Sequence, residues 1–170
     1  MNREEKLKTL FNNGCLDGLF QLFIEKVGKD SLEGKTGGYF SIRYLDDHDT
    51  VVSKKIGKID PEKKEKYQCL APEKSLRLKK NLRNGHLTSY ESRNTAGNVC
   101  VGQENRIEPW GHWGGAVYIS KYFIFSFSGF PELLDEAFVC FLGMRSGSMS
   151  RNQFLEVKKR RTDNPYLKLL

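Results

Sequence analysis

Residues Gly114–Phe138, GGAVYISKYFIFSFSGFPELLDEAF, decide the fold. Ala116–Ile119 and Tyr122–Ser128 are β-branched or aromatic runs separated by Ser120-Lys121, a two-residue connection of hairpin length. Along the second run Phe123, Phe125 and Phe127 fall on one face, with Tyr122, Ile124, Ser126 and Ser128 on the other. A period of two belongs to a strand with one fully buried face. Gly129 ends the strand and Pro131 presets φ for a first helical turn. Glu132, Asp135 and Glu136 then place negative charge near the positive end of that helix, and Leu133, Leu134, Ala137, Phe138 and Phe141 supply its apolar face.

Upstream, Leu16, Leu19, Phe20, Phe23 and Val27 have helical spacing. Tyr39–Leu45 and Thr50–Ile59 read as a strand pair turning through Asp46–Asp49. Residues 60–72 read as a charged loop, and Glu73–Leu82 as a helix with Leu76 and Leu82 inward and its lysines and arginines outward. His86–Ser92 reads as another strand, and residues 93–113 as a long polar, Gly-rich loop carrying Trp110 and Trp113. This order predicts an α+β fold, a single five-stranded antiparallel sheet with helices packed on it, as in profilin-like and PAS-like sheets. The expected organisation is one α+β domain over residues 1–143 and a basic C-terminal extension over 144–170, with Arg145–Ser150 as a linker and Phe154–Arg161 as an amphipathic helix.

A chain of 170 residues suits one domain with a real core. No apolar run approaches the roughly 20 residues that cross a bilayer. The opening MNREEKLKTLF has alternating charge and no apolar stretch of the secretory kind, so a cytoplasmic protein is expected, with no membrane partner. Cys15, Cys69, Cys100 and Cys140 form no CxxC or CxxH pair, which predicts four reduced thiols. The net charge of +7 is concentrated: Lys54–Arg83 holds 11 Lys/Arg against 4 Asp/Glu, and Arg151–Leu170 holds 6 against 2. Such a belt and tail suit nucleic acid or another polyanion. Acidic residues interrupt the belt, however, and Tyr67 is its one aromatic, whereas single-strand binders interleave stacking rings with their cations.

One family shares this pattern. Gly114-Gly115-Ala116-Val117, the hairpin, the Ser128-Gly129 corner and the helix with Asp135-Glu136-Ala137 resemble the C-terminal signature of GlcG/HbpS-like proteins. Ser41–Asp46 with its returning strand resembles that family's first hairpin, and Lys74–Asn81 its lysine-containing middle helix. The similarity covers roughly residues 15–143. Val117 stands where the family carries proline, Asp46–Asp49 where its turn is glycine-rich, and residues 93–113 have no counterpart. The resemblance implies a profilin-like sandwich that tends to oligomerise, with binding of haem or another small ligand. It supplies no catalytic set.

Three constellations bear on function. In Arg106–Gly115, His112 lies between Trp110 and Trp113, an arrangement that suits haem or a flat ligand, although buried aromatics most often serve packing and a plug of packed rings is the plainer reading. His86, Tyr90, Ser126 and Ser128 suit a polar pocket if the 86–92 strand is central. Asp46–Asp49 offers metal-ligating groups, but neighbours on a tight turn diverge, and no metal site is assigned. The candidate ligand-binding residues are therefore Trp110, His112, Trp113, His86, Tyr90, Ser126 and Ser128. The expected function is a small-ligand-binding or regulatory domain without demonstrated turnover. A polyanion-binding accessory protein is the first alternative. An enzyme built on Glu91, Glu104, Glu108, His86 and His112 is the second. The face holding Tyr122, Ile124, Ser126 and Ser128 is too apolar for water, so either a homodimer or the tail, through Tyr166, Leu167, Leu169 and Leu170, is expected to cover it.

Overall fold

A computed structural model describes residues 5, 7, 10–46, 48–93 and 113–170. Within them β1 (Gly37–Tyr44), β2 (Val51–Gly57), β3 (Ala116–Ser120) and β4 (Phe123–Ser128) form one open antiparallel sheet in the order β2-β1-β4-β3. The helices are α1 (Asn13–Val27), α2 (Pro61–Asn81), α3 (Glu132–Arg145) and α4 (Arg151–Arg160). The expected α+β class holds, with four strands rather than five. Residues 86–92 do not form a ladder and touch the sheet through a single bridge, Thr88 to Val117. The reason is local. The Glu91 carboxylate accepts from the amides of Leu87 (2.7 Å) and Thr88 (2.9 Å), folding the segment back on itself. The β3–β4 turn is also one residue later than its sequence suggests. The register shifts between Tyr118 and Ser120, Ser120 pairs with Phe123, and Lys121-Tyr122 makes the turn.

One face of the sheet is apolar. Phe40, Ile42, Val117, Phe123, Phe125 and Phe127 join the core that α1 and α3 complete. Phe127 meets Phe138 of α3 edge-on at 4.8 Å, and Phe138 lies 5.0 Å from Phe23 of α1. Each fully buried phenylalanine contributes about 1.5–3 kcal/mol relative to exposure, so this layer supplies most of the stability. The C-terminal segment belongs to it as well: Phe154, Val157 and Leu167 are buried in the same core.

The other face is covered by α2, not by a second subunit or the tail. The sheet presents Ser41, Arg43, Ser126 and Ser128 there, and α2 answers with buried Glu73, Lys74, Ser75 and Arg77 around Leu70 and Leu78. This overturns the outward placement of all the helix's cations, and Leu76 and Leu82 are only half-buried. The helix also starts earlier than Glu73. Pro61 opens it, and the Asp60 side chain caps the Glu62 amide at 3.1 Å. Pro72 sits inside it, where proline costs about 3 kcal/mol against alanine. Side chains tie down the backbone around this defect. Ser126 donates to the Ala71 carbonyl (2.6 Å), and Arg43 (3.2 Å) and Ser75 (2.7 Å) donate to that of Pro72.

Cys15 and Cys140 are free, but Cys69 is disulfide-bonded, against the expectation of four reduced thiols. Spacing motifs report close cysteine pairs and are blind to distant ones. No helix among the described residues is long and apolar enough to cross a membrane.

Candidate functional site

The end of β4 and the following corner form one side of a cleft of about 120 Å³, with α2 on the other. At its floor Lys74 of α2 meets Asp135 of α3, Nζ to Oδ2 2.7 Å, with side chains 2% and 3% exposed. Lys74 also donates to the Phe127 carbonyl at 2.9 Å, and Asp135 Oδ1 accepts from the Phe130 amide at 2.8 Å. The pair thus bridges the two helix layers through the end of the sheet. Burial pushes the Asp135 carboxyl up to about 6, although Lys74, the Phe130 amide and Lys35 all pull it down. The Ser128 hydroxyl also borders the floor and makes no hydrogen bond among the described residues.

Tyr67, Trp113 and Phe130 form the walls, and Lys35 and Lys66 the rim. Burial, with the nearby charges of Asp135 and Asp60, raises the Tyr67 phenol and keeps it protonated. Its hydroxyl is a hydrogen-bond donor without a protein acceptor among the described residues. The described lining thus holds three lysines and one carboxylate around a small opening with aromatic walls. The arrangement suits a compact anion.

Gly115 makes room for the ion pair. Its φ of +114° is one that L side chains rarely adopt, and an added Cβ would lie 2.7 Å from the Asp135 Cβ and 2.9 Å from Lys74 Nζ. Strain and overpacking each cost about 1–3 kcal/mol, so Gly115→Ala is expected to lose about 3 kcal/mol in a urea titration. A loss below about 0.5 kcal/mol, the range of surface substitutions, would show that this corner adapts freely.

Of the residues expected to bind ligand, Trp113 (47% exposed) and Ser128 line the cleft. Ser126 does not, because α2 covers it and its hydroxyl donates to the Ala71 carbonyl. His86 and Tyr90 lie on the 86–93 turn away from the cleft. His86 Nδ1 is 2.8 Å from the Ser92 hydroxyl, and the Tyr90 ring stacks under the Arg161 guanidinium at 3.5 Å. Trp110 and His112 lie outside the described residues, as do Glu104 and Glu108. Glu91 is occupied with the 87–88 amides. Lys35, Tyr67, Lys74 and Asp135 were not foreseen. A signal for Lys74 existed, since it falls between Leu70 and Leu78 at spacings of four and shares their buried helix face.

In the Asp46–Asp49 turn, Asp49 is otherwise engaged. Asp49 pairs with Arg43 and Lys79, both at 2.8 Å. Burial pulls its carboxyl up, but these two cations outweigh that and hold it below the ordinary range. Among the described residues no three ligating side chains converge on a metal site. Haem fits the cleft poorly, because its described lining holds no histidine, cysteine or methionine and Tyr67 stays protonated. Pockets for drug-sized ligands measure about 300–1,000 Å³, well above this one. The basic belt is also weaker than its composition, since Lys74 and Arg77 are committed to the interior.

Comparison with family models, with curated proteins and with solved structures finds no match to this chain.

Proposed function

We propose that this chain is a small-ligand-binding domain of GlcG/HbpS type, and that its ligand is a compact anion seated between α2 and the β4–α3 corner. The reading rests on one observation: Lys35, Lys66 and Lys74 line a small cleft whose described lining holds one carboxylate, Asp135, beside the Ser128 and Tyr67 hydroxyls, which have no hydrogen-bond partner among the described residues. The size of the cleft narrows the ligand further. An apolar cavity of about 150 Å³ admits benzene, so the group held at the floor is at most ring-sized. Trp113, half in solvent, would cover a longer ligand's outer part.

Titration calorimetry with acetate, lactate, benzoate and inorganic phosphate tests this reading. One-to-one binding of at least one of them is expected, weakened about tenfold or more by Lys35→Ala, as befits the loss of a charge-assisted hydrogen bond of about 1.5–3 kcal/mol. Absence of binding by all four at millimolar concentration, or binding indifferent to Lys35→Ala and Lys66→Ala, overturns it.

A further inference from the structure

We propose that Lys74 is a nucleophile and that the cleft takes compact 2-oxo acids, which it holds as a reversible imine on the Lys74 amine. The inference rests on the anion-binding reading above and adds a covalent step to it. Lys74 is the buried amine of a lining that also holds Leu70 and Phe130, whereas Lys35 and Lys66 are only half-buried, at the rim where a carboxylate would sit. Two of its three hydrogen-bonding positions are occupied, by Asp135 and the Phe127 carbonyl. The third has no protein partner among the described residues. In this proposal the substrate carbonyl sits at that position.

The chemical obstacle for any lysine is its proton. With an ordinary pKa of about 10.4, fewer than roughly one amine in a thousand is free at neutral pH. A carboxylate 2.7 Å away supplies the missing acceptor. The Asp135 carboxyl, raised by burial to about 6, can hold a proton near neutrality in a way that an exposed aspartate cannot. Lys74 passes one proton to Asp135, and its freed lone pair forms a C–N bond to the carbonyl carbon as the C–O π bond breaks. The oxygen takes up the proton from Asp135 and a second proton from the nitrogen, and leaves as water. An iminium, Lys74–NH⁺=C, remains. The ammonium and the carbonyl compound thus become the iminium and water with no change of charge, and Asp135 ends as it began. The Ser128 and Tyr67 hydroxyls border the same space and can donate to the carbonyl oxygen as its charge develops.

The reverse hydrolysis is equally available, so the imine must be trapped to be seen. The protein is incubated near pH 7 with pyruvate and sodium cyanoborohydride, then analysed by intact mass and peptide mapping. Reduced adduct is expected on Lys74 about tenfold or more ahead of any exposed lysine, since positioning raises effective concentration by far more than that. Lactate, which has the carboxylate but no carbonyl, is expected to leave no adduct and to slow the labelling by pyruvate. Lys74→Arg keeps the charge opposite Asp135 and removes the nucleophile, so its labelling should fall to the scattered background of surface lysines. The mapping of the unsubstituted protein decides the matter even if that variant does not fold. Labelling spread evenly over exposed lysines overturns the proposal. Calorimetric binding of lactate and pyruvate without a Lys74 adduct overturns the imine alone and leaves the anion site standing, whereas binding of neither removes both.

Discussion

Lys74→Met is expected to lower stability by about 3–5 kcal/mol, the cost of leaving one member of a buried ion pair without its partner. Asp135→Leu should cost a similar amount, because among the described residues the Lys74 ammonium would retain only the Phe127 carbonyl. The double variant, Lys74→Met with Asp135→Leu, should recover most of the loss, since an apolar replacement of a buried pair is often neutral or stabilising. Guanidinium denaturation of all four proteins closes the cycle. A double variant as unstable as the sum of the single ones would show no coupling between Lys74 and Asp135 and would overturn this account of the pair.

The pH dependence has a fixed sign. Folded Asp135 holds its proton up to about 6, against an ordinary value of 3.8, so between those limits the folded chain carries a proton that the unfolded chain has released. Stability contributed by this group is therefore present below about pH 4 and is lost as pH rises to about 6. Glu136, pushed by burial to about 7 although Arg161 and Asn164 oppose it, acts in the same direction and extends the window to neutrality. Unfolding free energy should fall by on the order of a few kcal/mol across pH 4.5–7, and Asp135→Asn should remove the lower part of that slope.

These two results bear on one point. A pair expected to weaken the fold at neutral pH, yet lying at the floor of an open cleft, is better suited to holding a ligand or a proton than to holding the fold together. The apolar layer under Phe123, Phe125 and Phe127 does the latter. That division explains what could be seen in the sequence. The hairpin, α3 and the buried phenylalanines follow from periods of two and of three to four, which backbone geometry enforces wherever one face is apolar. The second face follows no such rule. Its serines, Arg43, Lys74 and Arg77 look like solvated residues in a pattern, and only tertiary contact shows that each is buried with a partner. The 86–92 segment misleads for a related reason: its alternation is real, but the Glu91 side chain takes the amides that a ladder would have used. The cleft was legible in part through Trp113 and Ser128. Its charged floor was not, because the two halves of the pair come from helices 61 residues apart in sequence.

Arg77→Met is expected to cost about 3–5 kcal/mol as well, and to weaken the cleft without touching it. The guanidinium is fully buried and divides its donors among three elements: the Glu73 carboxylate (2.9 Å), the Ser89 carbonyl (2.7 Å) and the Trp113 carbonyl (2.5 Å). It therefore fastens both the 86–93 turn and the irregular stretch at Trp113 that leads into β3 to the back of α2. Arg77→Lys keeps a charge for Glu73 but cannot reproduce the fork, so it should recover only part of the loss. Leu78→Ala is the informative comparison. Leu78 is also fully buried, on the next position of the same helix, and its truncation should cost about 2–5 kcal/mol through the cavity it leaves. Leu78 makes no contribution to the cleft wall, whereas Arg77 holds the backbone that carries the Trp113 ring there. Under conditions where both variants are fully folded, anion affinity measured by calorimetry should fall for Arg77→Met and stay near that of the unsubstituted protein for Leu78→Ala. Equal losses in the two would mean that affinity follows overall stability and that Trp113 is not positioned through Arg77.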